Sequence, residues 1–249
     1  MVFITGDCHG EFTRFSTRNF PIQKELTHDD YVIICGDFGI WHDSSEERYW
    51  LRWLSEKPFT TLFVDGNHEN FDRLDSEFNE IDFCGGRAHT IRDNVYHLMR
   101  GQVFEIDGKK FFTFGGARSH DIQDGILDKN DFETHDEFTQ TMRKMTREGK
   151  FFRVNHYSWW EREMPSDDEK RLALKNLEKN NFKVDYIITH CCPQTVASYF
   201  GYTDPDNLTK FFNTLDEVVE YKCWFFGHYH GDRKYDRYTM LYHNIELIF

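Results

Sequence analysis

Three short apolar runs near the start of the chain each lead into a glycine followed by a polar residue. The runs are Val2–Thr5, Tyr31–Cys35 and Thr61–Val64, and they lead into Gly6-Asp7, Gly36-Asp37 and Gly66-Asn67. The polar residues recur at an even interval of about thirty residues, the length of one strand–helix–strand unit. Unbroken apolar runs rich in β-branched residues are typical of strands covered on both faces. The spacing therefore predicts an α/β fold whose polar residues meet at the carboxyl edge of a sheet, where ligands bind.

Two helices are predicted from side-chain periodicity and capping signals. Glu46–Glu56 carries its aromatic and leucine side chains at helical spacing, and Ser45 is a suitable N-cap. Ser166, followed three residues later by a glutamate, forms a capping-box pattern that predicts a helix running to about Asn180.

The later part of the chain contains further strand signals. The dipeptide Asp107-Gly108 between two apolar runs predicts a β-hairpin. The expected strands are Gln102–Ile106, Phe111–Phe114, Val184–Ile188, Cys223–Phe226 and a closing pair within 233–248. The strands Val184–Ile188 and Cys223–Phe226 are each followed within two residues by a histidine, His190 and His228. Histidines are therefore also expected at strand ends.

The length and composition indicate one globular domain. With 249 residues of which 39% are hydrophobic, the chain is expected to form a single domain over 1–249. The segment from about Ser119 to Glu163 is polar and charge-dense. We expect this segment, called the excursion below, to be irregular or partly helical and to lie like a cap over the site.

The charge, the cysteines and the lack of long apolar stretches argue against duplex nucleic acid as a partner and against a secreted or membrane-spanning protein. A net charge of −13 makes binding to duplex nucleic acid unfavourable, because such binding needs a broad basic surface. The six cysteines match neither a zinc ribbon nor a small disulfide scaffold, so we interpret them as reduced thiols. The start has no signal-peptide pattern, and no apolar stretch is long enough to span a membrane. A cytoplasmic protein is expected, and its oligomeric state is left open.

Five polar motifs, each after a strand-like run, supply candidate metal ligands. They are Asp7-X-His9, Gly36-Asp37, Gly66-Asn67-His68-Glu69, His190 and Gly227-His228-X-His230. Each motif alone is more often a turn or a hydrogen-bonded residue than a ligand. Together they provide hard oxygen ligands, imidazoles and a carboxylate that two ions can share, as a two-metal hydrolytic centre requires.

On these motifs the whole chain resembles the calcineurin-like metallophosphoesterase superfamily. The resemblance implies two β-sheets packed as a sandwich and flanked by helices. It also implies that Asp7, His9, Asp37 and His230 hold a first metal, and that Asp37, Asn67, His190 and His228 hold a second. A metal-bridging hydroxide would be the nucleophile, and His68 would be the general acid rather than a ligand. Mixed imidazole and oxygen ligands favour Mn, Fe or Zn, of which we expect Mn.

The sequence departs from the phosphoprotein phosphatase branch of that family. Ile40 stands where that branch has a carboxylate, and Trp41 and Asp65 stand where it has arginines. A protein serine/threonine phosphatase is therefore disfavoured. Because the residue that orients the general acid in that branch is missing, Asp43, Glu69 and Asp72 remain candidates for that role.

Substrate contacts are the least specific part of the pattern. Arg118 follows a glycine pair at a predicted strand end, where its guanidinium would clamp a phosphate or form a surface ion pair. Arg73 is expected to be a solvated helix residue. The pair Trp159-Trp160 is expected to anchor the excursion to the core, with stacking against a base as the alternative.

The expected activity is hydrolysis of a small phosphorylated substrate. A phosphomonoester or a nucleotide is favoured, and a phosphodiester or a dinucleoside polyphosphate is the alternative. A non-catalytic protein-binding scaffold on the same fold is the alternative from another class. It is disfavoured because all seven ligand positions and His68 are filled.

Overall fold

The structure is a computed structural model that describes residues 1–249. The strands β1–β15 are Val2–Thr5, Tyr31–Ile34, Thr60–Phe63, Asn79–Phe83, Gly86–Arg92, Val95–Leu98, Gln102–Ile106, Lys109–Phe114, Ile126–Leu127, Arg153–Val154, Tyr186–Thr189, Cys223–Phe226, Arg233–Tyr235, Tyr238–Met240 and Ile245–Leu247. The helices α1–α6 are Ser45–Ser55, Phe71–Ser76, His135–Arg147, Asp167–Lys179, Gln194–Tyr199 and Asn207–Val218. No helix has both the length and the apolar character that crossing a membrane would require.

The first large sheet has seven strands in the order β15-β1-β2-β3-β6-β5-β4. Strands β1, β2 and β3 are parallel neighbours in register, so that Thr5 pairs with Ile34 and Ile34 pairs with Phe63. Because the three strands end level with one another, the residues that follow them emerge at one edge of the sheet.

The second large sheet has six strands in the order β13-β14-β12-β11-β8-β7. Strands β8, β11, β12 and β14 are parallel neighbours, with Thr189 opposite Phe114 and Ile188 opposite Phe225. Their carboxyl ends again form one edge, and His190 and Gly227 follow directly from two of these strands.

Apolar side chains between the sheets form the central layer of the core. Ile4 and Leu62 of the first sheet share a buried cluster with Phe111 and Ile188 of the second. Neighbouring residues along the same strands point outward, because side chains alternate along a strand. The predicted sandwich of two sheets is therefore confirmed.

Helices cover the outer face of each sheet. Leu54 of α1 packs in a buried cluster with Phe3 of β1, and Leu177 of α4 packs in another with Ile187 of β11. Strands β1 and β3 are buried at all four positions, as expected for strands covered on both faces. The predicted α/β architecture with flanking helices is thus confirmed.

Local signals located most elements, with errors of one or two residues at their ends. The N-cap of α1 is Ser44, whose side chain accepts from the Glu47 N–H, so the assignment to Ser45 was wrong by one position. Ser166 and Glu169 form the expected capping box, and Asp107 and Gly108 both have positive φ in the expected hairpin turn.

Two long-range arrangements were not anticipated. The strands β4, β5 and β6 form an antiparallel extension of the first sheet. The tail divides between the sheets, since β13 and β14 pair with each other while β15 pairs with β1. Both depend on distant partners that local patterns do not reveal.

The excursion contains helix α3, the short parallel pair β9 and β10 and irregular turns. None of the residues of α3 is buried. Trp160 is only 1% exposed and belongs to the buried cluster that also contains Phe3 and Leu54. Its indole N–H donates to Asp72. This tryptophan therefore anchors the excursion to the core.

Candidate metal centre

The seven candidate ligands come together where the carboxyl edges of the two sheets meet. Close approach of the edges depends on glycines, since a Cβ at Gly36 would collide with the His190 ring and one at Gly66 would collide with the Asp37 carboxylate. Gly36 also has a φ of +91°, which L side chains rarely adopt. The glycines therefore allow both sheets to place polar side chains in one small volume.

Asp7, His9 and His230 form one group of candidate ligands. The His230 Nε2 lies 3.3 Å from Asp7 Oδ2 and 3.2 Å from His9 Nε2, and His9 Nε2 lies 3.9 Å from Asp7 Oδ2. One ligand atom from each residue lies within 4.8 Å of the others. This spacing suits three ligands around one ion.

Asp37, Asn67 and His190 form a second group. The His190 Nδ1 faces the Cys35 carbonyl oxygen at 2.8 Å and donates to it, which leaves Nε2 directed at the other two residues. That nitrogen lies 3.3 Å from Asp37 Oδ1 and 3.3 Å from Asn67 Oδ1. Two oxygens and a nitrogen thus converge on a common point.

Asp37 lies between the two groups. Its Oδ1 faces His190, whereas its Oδ2 lies 3.8 Å from His9 Nδ1. One carboxylate therefore presents an oxygen to each group, which is the arrangement that a bridging ligand needs. The remaining candidate, His228, packs its ring 4.9 Å from the His190 ring and donates its backbone N–H to the Asp7 carboxylate.

The electrostatics around His190 favour positive charge. Burial lowers the pKa of His190, but the carboxylates Asp37 and Asp7 outweigh burial and raise it to about 10. Burial conversely raises the pKa of Asp37, but His190 and nearby histidines lower it below its usual range. Both carboxylates have almost no solvent exposure. A field that holds a proton on a buried imidazole also suits divalent cations, so these carboxylate, imidazole and amide ligands fit a pair of transition ions.

His68 lies beside the first group. Its backbone N–H donates to Asp37 Oδ1 at 2.8 Å, and its ring centre lies 5.2 Å from that of His9. Burial lowers the pKa of its side chain, and the Asp37 carboxylate opposes this effect. A ring nitrogen of His68 also lies within ligand distance of His9 and Asp37. Geometry therefore places His68 where either a ligand or a proton donor would lie.

None of the three carboxylates considered as an orienting partner is hydrogen-bonded to the His68 ring. Asp43 pairs with Arg48, and Asp72 accepts from His156 and Trp160. The sequence left this choice open, and the structure assigns these two residues other contacts.

Glu69 instead holds the loop that follows Asp37. Its carboxylate accepts the backbone N–H groups of Phe38 at 2.6 Å and Ile40 at 2.8 Å, and also that of Gly39. Three backbone donors on one buried carboxylate fix the path of the chain around Asp37. This loop-holding role of Glu69 depends on a contact between the loops after two strands. The only sequence signal for it was that Glu69 directly follows the Asn67-His68 motif.

The predicted substrate arginine, Arg118, is exposed and makes no hydrogen bond or ion pair. A different arginine, Arg153, acts electrostatically on the site. Arg153 pairs with Asp121 at 2.8 Å. Its positive charge also lowers the pKa of His68, although burial of His68 lowers that pKa more. Arg73 pairs with Glu47 and Glu77 and is a structural residue of α2.

A cleft of about 330 Å³ opens beside His9 and His68. Its other lining residues are Gly10, Glu11, Gly39, Trp41, His42, Ser44, Glu46 and Glu47. The sequence motifs did not mark these residues, because they come from the loops after β1 and β2 and from the start of α1.

Comparison with known proteins agrees with this geometry. A family model described as calcineurin-like phosphoesterase matches residues 1–232, which include all seven candidate ligands and His68. No curated protein matches the chain. The resemblance inferred from the motifs is confirmed, and the family implies a metal-dependent phosphoester hydrolase. The chain belongs to the calcineurin-like phosphoesterase family.

Proposed function

We propose that this protein hydrolyses small phosphate monoesters with two divalent transition cations, for which Mn is the preferred ion. The observation that supports this most is Asp37, which presents one oxygen to each of two ligand groups. When bound, such cations supply Lewis acidity and lower the pKa of a shared water. Asp37 and the histidines would hold these cations.

His68 would donate a proton to the leaving oxygen. Its ring lies at the border between the ligand groups and the cleft, so it faces both the reacting centre and the space for the leaving group. General acid catalysis of this kind contributes about 10²–10⁴-fold.

The polarity of the cleft favours an uncharged leaving group over an anionic one. Among its ten lining residues are three glutamates and no lysine or arginine. Glu47 is engaged by Arg73, whereas Glu46 has no ion-pair partner. A sugar, a nucleoside or an aryl alcohol fits this lining beside Trp41, whereas a leaving phosphate chain would meet repulsion. The monoester is therefore preferred over the dinucleoside polyphosphate.

A panel of three substrates with added Mn tests the proposal. We expect p-nitrophenyl phosphate to be turned over faster than bis-p-nitrophenyl phosphate, with dinucleoside polyphosphates slowest. Faster turnover of the diester would make the protein a phosphodiesterase. No turnover of any substrate by protein that holds two ions per chain would favour the non-catalytic scaffold.

Replacement of one cleft carboxylate should change substrate preference without changing the chemistry. We expect Glu46→Gln to raise kcat/KM for 4-carboxyphenyl phosphate a few-fold and to leave phenyl phosphate unchanged, since an exposed charge pair is worth about 0.2–1 kcal/mol. The matched control is Glu56→Gln, which removes the same charge at the other end of α1. An equal change for both esters, or the same selectivity change in the control, would contradict the assignment of the cleft.

A further inference from the structure

One end of the excursion is hydrogen-bonded to a candidate ligand of the second ion. The Asn67 side-chain amide donates to Ser119 Oγ at 3.3 Å, which leaves its oxygen directed at His190. Ser119 Oγ in turn donates to Glu163 Oε2 at 2.6 Å, and the Ser119 backbone N–H donates to Glu163 Oε1 at 2.8 Å. Ser119 and Glu163 are 3% and 1% exposed. The two ends of the excursion thus meet in a buried chain of hydrogen bonds that orients the Asn67 amide.

The next residue of the excursion contacts a second candidate ligand. The His120 Nε2 lies 2.9 Å from the His228 Nε2, with ring centres 4.9 Å apart. One of these two nitrogens must donate to the other, and a neutral imidazole carries a single N–H. Only when the His228 Nε2 donates does His228 keep a bare nitrogen, Nδ1, for an ion. If His120 accepts, it would select the His228 tautomer that can bind metal.

We propose that Ser119, His120 and Glu163 are positioning residues for the second ion, acting through Asn67 and His228. The inference rests on the proposed function, because it concerns the same pair of ions. Partners that orient metal ligands typically contribute 10–100-fold in metal affinity. The first group has no such support from the excursion, because none of Asp7, His9 and His230 is hydrogen-bonded to these three residues.

The proposal gives the two ions different dependence on the excursion. We expect His120→Leu and Ser119→Ala each to weaken binding of the second Mn by about 10–100-fold and to leave the first unchanged. His120→Gln should recover most of the affinity, because its side-chain oxygen can accept the His228 N–H. A merely structural role for His120 would not distinguish between glutamine and leucine in this way.

The experiment measures Mn bound per chain by equilibrium dialysis, with electron paramagnetic resonance to distinguish paired from isolated Mn. The control is His135→Leu, which removes an exposed histidine from α3 of the same excursion. Unchanged affinity for both ions, equal weakening of both, or failure of the wild-type protein to bind a second Mn would each overturn the proposal. If the wild-type protein binds two Mn with the expected variant pattern but hydrolyses no ester, the positioning role stands and the proposed function fails.

Discussion

Asp37→Asn should abolish paired metal binding and reduce turnover by about 10²–10³-fold. Asp37 faces both ligand groups, with Oδ1 3.3 Å from His190 Nε2 and Oδ2 3.8 Å from His9 Nδ1. An amide offers one neutral oxygen in place of two charged ones, so it cannot attract two cations at once. Loss of Lewis acid stabilisation worth several kcal/mol corresponds to this range, because each 1.36 kcal/mol is tenfold in rate.

The same variant should remain folded without metal. An amide oxygen at this position can still accept the His68 N–H, which Asp37 Oδ1 accepts at 2.8 Å. The measurements are phosphatase activity, Mn content and the rise in Tm on adding Mn, which reports ligand binding to the folded state. We expect a large rise for the wild-type protein and a small one for the variant. Asp43→Asn, at a carboxylate that is 55% exposed, is the control for the charge change. Two tightly bound Mn in Asp37→Asn would show that Asp37 does not bridge them.

His68→Ala should reduce turnover by about 10²–10⁴-fold while the protein keeps both ions. The reason is that the proposed donor acts on the leaving oxygen and holds no cation. The measurement pairs metal content with kcat for an alkyl phosphate and for p-nitrophenyl phosphate. The defect should be smaller for p-nitrophenyl phosphate, because its phenolate leaves without much help from an acid.

His42→Ala is the matched control for His68, because both histidines line the cleft while only His68 borders the ligand groups. We expect the control to retain metal and most of the turnover. If His68→Ala lost an ion, His68 would be a ligand, as its proximity to His9 and Asp37 permits. Unchanged turnover with unchanged metal content would remove it from the mechanism altogether.

Sequence reasoning located the candidate ligands because each follows an apolar strand directly. The side chains after β1, β2 and β3 emerge together since those strands are parallel and in register. A strand end therefore fixes the location of Asp7, Asp37 and Asn67 to within a residue or two. The same reasoning does not fix the direction of Arg118, because a strand end does not specify which way a long side chain extends, so its substrate contact stays a prediction.

The residues around the ligands could not be inferred in this way. Glu69 holds backbone 31 residues away, His120 meets His228 over a separation of 108 residues, and Glu163 meets Ser119 over 44. The first contact depends on how the loops after β2 and β3 pack together, and the other two depend on how the excursion packs against the ligand residues. No local periodicity or capping signal encodes this packing.

Fold class, family and the chemical types of the candidate ligands follow from sequence because they depend on short-range patterns. Apolar runs specify strands, glycines permit tight turns, and the turn residues carry their ligand chemistry with them. Orientation is different, because it depends on packing between distant segments. This packing decides which nitrogen of His190 faces Asp37, which way the Asn67 amide points and which side chains form the cleft. Those choices appear only when the two sheets and the excursion occupy the same space, because hydrogen-bond direction is set by three-dimensional neighbours.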